Sequence, residues 1–296
     1  MKFTNFILDL VQSLRIKHWV KNGLIFAALI FSKNIFNFEM LAKTIIAFSL
    51  FGFVASSIYL VNDLCDLEED KKHPVKGKKA IASGRIKPSL ALGISVFLAI
   101  AAIVGSFIMS FWFGVVICVY LVINLLYSRY LKHVVIIDVF CVASGFVLRV
   151  LAGGFVINVS ISHWLVICTG LLALFLSFTK RRHELVLLGE GAEKHRKILQ
   201  EYSPYFLDQM ITIVTSTTLI GYALYTISDE TVKKFGTDKL ILTTPFVLYG
   251  IFRYLYLVHK KEEGGNPTRL LLTDRPVLVD IVLWLLSVFV ILYIKK

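Results

Sequence analysis

Long apolar runs alternate with short charged breaks along the whole chain. Nine runs stand out, at about 19–36, 43–62, 89–108, 110–127, 134–157, 161–179, 205–228, 240–258 and 277–294. Each approaches the roughly 20 residues a helix needs to cross a hydrocarbon core. Apolar positions within the runs are continuous rather than alternating, which argues against a transmembrane barrel. The pattern predicts an all-α, polytopic membrane protein with nine transmembrane helices in a single domain spanning 1–296. Ahead of the first run, Phe3, Phe6, Ile7, Leu10, Val11 and Leu14 recur at helical spacing. Residues 1–18 therefore read as an amphipathic helix lying on the membrane surface. Asp9, Gln12 and Arg15 interrupt its apolar positions and no small-residue cleavage site follows, so a cleavable signal is not expected.

Composition agrees with this reading. Of 296 residues, 57% are hydrophobic and 18% charged, and the mean hydropathy is +0.74. A soluble enzyme and a disordered chain are both excluded on those grounds. The four cysteines, Cys65, Cys118, Cys141 and Cys168, lie in or beside apolar runs without CxxC spacing, so neither a disulfide nor a zinc site is expected.

Charge adds orientation. Lys and Arg number 32 against 20 Asp and Glu. With the N-terminus set inside, the inner segments hold 23 basic residues and the outer ones 7. Basic residues gather in cytoplasmic loops, so the N-terminus is expected in the cytoplasm of a plasma membrane. Nine spans then leave the C-terminus outside. The long polar loops 63–88 and 180–203 fall on the cytoplasmic side, where the working face is expected. Membrane topology accounts for most of the basic excess; nucleic acid is not an expected partner.

The loop chemistry is specific. Asp63, Asp66 and Asp70 follow i, i+3, i+7 spacing, which on a helix stacks three carboxylates on one face. Such a stack repels itself unless a counter-ion is present, and Mg²⁺ commonly bridges one or two carboxylates to substrate phosphates. A solvated acidic helix end is the structural alternative. Cations follow directly, among them Lys76, Lys79 and Arg85, in the order a metal–diphosphate site needs. Inward charge bias explains any single lysine equally well.

Further candidates are dispersed. Tyr127 and Lys132 lie in the link between the fourth and fifth runs, and the fifth run carries Asp138 and Arg149. Ionisable groups inside a span are functional candidates by default, although Arg149 also suits a structural ion pair. Lys180, Arg181 and Arg182 end the sixth run, where they complement a helix dipole or bind phosphate. Arg15, Lys17 and Lys21 flank Trp19 at the start of the first run, as interfacial anchors also do.

The run at 62–86, NDLCDLEEDKKHPVKGKKAIASGRI, resembles the first aspartate-rich motif, NDxxDxxxD, and following loop of the UbiA superfamily of intramembrane prenyltransferases. That resemblance implies a nine-helix bundle with a cytoplasmic-facing site. Segments 15–22, 127–154, 178–185 and 266–276 extend it over nearly the whole chain. One departure is informative. Ordinary members carry a second aspartate-rich motif after the sixth span, where this chain has TKRRHEL at 179–185. Cations in place of acids fit a site built around phosphoribosyl diphosphate and a lipid monophosphate, and the resemblance implies a branch of the superfamily with a place in cell-envelope biosynthesis.

The implied reaction is Mg²⁺-dependent transfer of 5-phosphoribose to a polyprenyl phosphate, releasing diphosphate. The resemblance implies metal binding by Asp63, Asp66 and Asp70, with Asp63 and Asp66 as catalytic carboxylates. It implies substrate binding by Lys21, Asn62, Lys76, Arg85, Tyr127, Lys132, Asp138, Arg149, Lys180 and Arg182. It also implies a homo-oligomer. A prenyltransferase acting on a small aromatic acceptor is the nearest rival. A membrane transporter is the rival of another class, but it predicts charge along a midplane path rather than crowded at one rim.

Overall fold

The computed structural model describes residues 2–72, 76–188, 197–261, 270 and 273–294, with side chains of residues 2–5, Leu188, Lys197 and Ile294 left aside. Its regular elements are helical among the described residues. In chain order they are α1 (Lys2–Ser13), a 3₁₀ segment (Ile16–Ile25), α2 (Phe26–Phe31), α3 (Phe38–Cys65), α4 (Leu67–Lys72), α5 (Pro88–Met109) and α6 (Phe111–Arg129). There follow α7 (Ile137–Val156), α8 (His163–Leu188), α9 (Pro204–Ile227), α10 (Asp229–Phe235), α11 (Thr244–Lys260) and α12 (Arg275–Phe289), with short 3₁₀ turns between and a π turn at Val290–Ile294.

Eight helices among the described residues are long and apolar enough to cross a membrane. They match the second to ninth predicted runs. Their ends are set by local chemistry. The Asn37 side chain accepts from the Met40 N–H to start α3, Ser203 accepts from Phe206 N–H to start α9, and Asp274 accepts from Val277 N–H to start α12. Pro88 and Pro204 sit in first turns, where a missing N–H costs nothing. On α5, Phe97, Ile100, Val104 and Ile108 are exposed, a face suited to lipid rather than water.

The first predicted run differs from expectation. It is not one continuous helix but a 3₁₀ segment followed by the six-residue α2. The segment is packed tightly against its neighbours. Gly153 lets the Ile25 carbonyl approach α7 so closely that a Cβ there would collide with it, and Gly52 lies against the Trp19 indole. Asn22 is buried, and its Oδ1 accepts from Arg149 Nε at 2.8 Å. The predicted helix over 1–18 is likewise shorter: α1 stops at Ser13, and Arg15 adopts a left-handed φ of 52°.

The chain divides into two compact units, Met1–Lys132 with Leu148–Ile161, and His133–Val147 with Ser162–Lys296. The first is centred on Ile25, Leu29, Phe51, Val54, Phe113, Ile117 and Ala152. A Ser57–Ser95 hydroxyl pair at 2.9 Å joins α3 to α5. Phe175, Leu207, Ile211, Tyr254 and Val277 centre the second unit. There the Tyr222 hydroxyl meets Thr243 at 2.6 Å and accepts from Trp284 Nε1 at 2.9 Å.

Candidate active site

The aspartate-rich motif straddles a helix end. Asp63 lies in the last turn of α3, Asp66 caps that helix, and Asp70 lies on α4. The Asp70 N–H still donates to the Asp66 carbonyl at 2.8 Å, so the path stays nearly helical across the break. The following loop folds back on the motif. Ala80, Ile81 and Ile86 bury against Leu60 and Ala91, which anchors the loop by its apolar side chains. Gly77 passes so near the Asp70 and Lys71 carbonyls that a Cβ would lie 3.3 Å from each. Gly84 supplies the turn, with φ of 77°.

This folding sets Lys79 between two of the acids. Its Nζ donates to Asp63 Oδ1 at 2.9 Å and to Asp70 Oδ2 at 2.6 Å. Arg15 Nη2 donates to the same Asp63 oxygen at 2.9 Å, while its guanidinium lies 4.7 Å from the centre of the Tyr59 ring. Lys132 Nζ reaches Asp66 Oδ1 at 3.1 Å. The Asp63 and Asp70 side chains are 7% and 4% exposed, whereas Lys79 and Arg15 keep 30% and 32%. Burial works against the Lys79 charge, but the hydrogen bonds and fields of Asp70 and Asp63 outweigh it and hold the ammonium above its usual range.

The sequence marks Arg15 and Lys79 only as members of cation runs and assigns neither a site role of its own. Lys79 is one of three lysines within four positions, and only the fold distinguishes it. Arg15 lies 48 residues from Asp63, and no local pattern links the two.

The other candidates in this unit are spread out. Asn62 is half-buried in the last turn of α3, Lys76 half-buried in the loop, Lys21 half-buried in the 3₁₀ segment and Tyr127 half-buried near the end of α6. Arg85 is exposed, and it donates to Asp9 Oδ2 at 3.0 Å and to the Lys78 carbonyl at 2.9 Å. Arg149 is buried, donates to Asn22 and to the Tyr120 hydroxyl at 3.0 Å, and sits over the Phe51 and Tyr120 rings.

In the second unit, Asp138 is fully buried. Its Oδ2 accepts from Arg181 Nε at 2.7 Å and its Oδ1 from the Tyr202 hydroxyl at 2.8 Å. Tyr202 in turn accepts the Ile136 N–H at 2.7 Å. Burial pushes the Tyr202 phenol above its ordinary range, so it remains a donor to Asp138. Arg181 also donates to Glu184 at 2.7 Å. Lys180 Nζ lies 3.5 Å from Glu184, and Arg182 pairs with Asp208, whose Oδ1 is 3.3 Å from His259 Nε2. Part of the loop 180–203, residues 189–196, lies outside the described residues, as do 73–75 in the first loop and much of the 266–276 segment.

A divalent cation suits the first group. Its donors are carboxylate oxygens, and one ammonium already touches two of them, so the fold itself brings a positive charge to that point. Among the described residues no three His, Cys, Asp or Glu side chains close into a metal cage. Mg²⁺ does not need one, because it commonly takes one or two carboxylates and completes its shell with water and phosphate.

Comparison with known proteins places the chain in a family. Residues 23–184 match the UbiA prenyltransferase family. The decaprenyl-phosphate phosphoribosyltransferase of Corynebacterium glutamicum is 33% identical over 293 residues, covering 96% of this chain and 87% of that protein. The protein of the same name from Mycolicibacterium smegmatis is 29% identical over 300 residues, covering 98% and 94%. A UbiA homolog from Archaeoglobus fulgidus, bound to DMAPP and Mg²⁺, superposes with a TM-score of 0.71 at 16% identity, covering 97% of this chain and all of that one. That last likeness establishes the fold.

Proposed function

The chain belongs to the UbiA prenyltransferase family and is an integral membrane transferase, and from that premise we propose that it moves 5-phosphoribose from phosphoribosyl diphosphate to a polyprenyl phosphate. The observation that carries this reading is the Asp63–Lys79–Asp70 corner, with Arg15 and Lys132 on its acids, in a chain similar along its length to two enzymes of that name.

In this reading Asp63, Asp66 and Asp70 hold Mg²⁺, with Asn62 as a neutral hydrogen-bonding neighbour. Bound Mg²⁺ neutralises part of the diphosphate charge and so makes diphosphate a good leaving group. Lys76, Lys79, Arg85 and Lys132 take phosphate oxygens, and Lys21 and Tyr127 contribute to substrate binding. Arg149 fixes Asn22 and the 3₁₀ segment beside α3. A polyprenyl phosphate oxygen attacks the anomeric carbon, the bond from that carbon to diphosphate breaks, and diphosphate leaves. The attacking oxygen is already anionic at neutral pH, so no strong protein base is required. Positioning and charge carry the rate.

Lys180 and Arg182 are proposed to bind phosphate, with Asp138 setting the position of the neighbouring Arg181. Lys180→Ala is expected to raise the donor KM about tenfold with kcat little changed; an unchanged KM would remove it from the site.

The site is proposed to face the cytoplasm of the plasma membrane, where the inner loops carry 23 basic residues. The first run, about 19–36, is proposed as the ninth crossing, which leaves the C-terminus outside.

The fold relative bound to DMAPP and Mg²⁺ favours a second reading, prenyl transfer to a small aromatic acceptor. Purified protein incubated with labelled phosphoribosyl diphosphate, polyprenyl phosphate and Mg²⁺ separates the two. Label is expected in the lipid phase. No lipid label, with turnover of prenyl diphosphate and an aromatic acceptor instead, would replace the first reading by the second.

A further inference from the structure

Among the described residues, Lys79 is the cation that touches two acids of the aspartate-rich motif, at 2.9 and 2.6 Å. Mg²⁺ ligates oxygen at about 2.0–2.1 Å, so an ion shared by Asp63 and Asp70 and an ammonium at these distances compete for the same oxygens. The ammonium is free to yield, because its side chain is 30% exposed and sits on a flexible four-carbon stem. Charge at the corner is balanced before any metal arrives: Asp63, Asp66 and Asp70 are met by Arg15, Lys79 and Lys132. A lone divalent cation therefore meets no net attraction there. A cation arriving with diphosphate brings the anion that a displaced ammonium needs.

We propose that Lys79 is a built-in counter-ion which the metal must displace, and that the displaced ammonium then binds the diphosphate arriving with it. The proposal rests on the reading that Asp63 and Asp70 hold the metal. It makes free-metal binding weak and joint binding of metal and diphosphate strong, so the acids do not hold a metal without its substrate.

Calorimetric titration of the full-length, detergent-solubilised protein with Mn²⁺ alone tests it. Lys79→Met is expected to bind Mn²⁺ about tenfold more tightly than wild type, the size of one charge-assisted hydrogen bond. Lys79→Arg, which keeps the charge, is expected to stay near wild type. Equal or weaker Mn²⁺ affinity in Lys79→Met overturns the proposal and leaves the metal reading standing. Absence of Mn²⁺ binding in every protein, even with inorganic diphosphate, overturns both. Wild type alone gives a second readout that does not depend on a variant folding. Acylation of Lys79 by acetic anhydride, followed by peptide mass spectrometry, is expected to be slow in the free protein, several-fold faster with Mn²⁺, and slow again once diphosphate is added. A rate indifferent to Mn²⁺ overturns the proposal.

Discussion

Two buried carboxylate clusters of similar composition lie in the two units, and they differ in who can reach them. Asp63 and Asp70 are covered, but the cations that hold them, Arg15 and Lys79, are each about a third exposed. Asp138 is fully covered, and so is its partner Arg181 at 4%. In the first cluster the counter-charge is replaceable from solution; in the second it is sealed in. A sealed ion pair costs desolvation that its attraction only partly offsets, and removing one partner strands the other. A pair with reachable cations exchanges partners at little cost. The same side-chain chemistry therefore serves as a strut in one place and suits ligand exchange in the other.

Substitution breaks the comparison if it is wrong. The largest effect is expected from Asp63→Asn or Asp66→Asn: turnover falls on the order of a thousandfold, about 4 kcal/mol on the barrier, while the unfolding temperature hardly moves. Full turnover by both variants would remove the metal site. Next comes Asp138→Asn, which takes the fully buried charge from Arg181 and leaves it Glu184 as its acid, and is expected to cost about 3 kcal/mol of stability, read by denaturant unfolding in detergent. Equal stability would mean that the sealed pair is no strut. Tyr202→Phe removes the donor to Asp138 and the acceptor of the Ile136 N–H, for about 1–3 kcal/mol; the same unfolding curves measure it. Smallest is Arg85→Ala, whose guanidinium is exposed beside Asp9, at under about 1 kcal/mol. A loss comparable with Asp138→Asn would show that exposure does not separate the two kinds of pair.

The helical architecture was legible because eight runs are uniformly apolar over membrane length, a signal that needs no tertiary information. The 3₁₀ winding of the first run is not legible, since the surfaces it packs against, at Gly52 and Gly153, lie far off in sequence. The acids were legible from their spacing, although the α3–α4 break at Asp66 was not, since it changes no residue type. Their cations were legible as a class and not as individuals. Lys79 stands out from Lys76 and Lys78 only when Ala80, Ile81 and Ile86 anchor the loop, and Arg15 reaches Asp63 only through chain folding. Asp138 and Arg149 announced themselves as charges inside a span, and the contacts that occupy them, Tyr202 and Asn22, lie 64 and 127 residues away.

The central claim, that the aspartate-rich corner holds the metal that docks a diphosphate, is met most directly by titrating Mn²⁺ in the presence of inorganic diphosphate and following the free ion by electron paramagnetic resonance. Wild type is expected to bind it saturably and Asp63→Asn to lose that binding while remaining folded. Undiminished binding by Asp63→Asn would contradict the account.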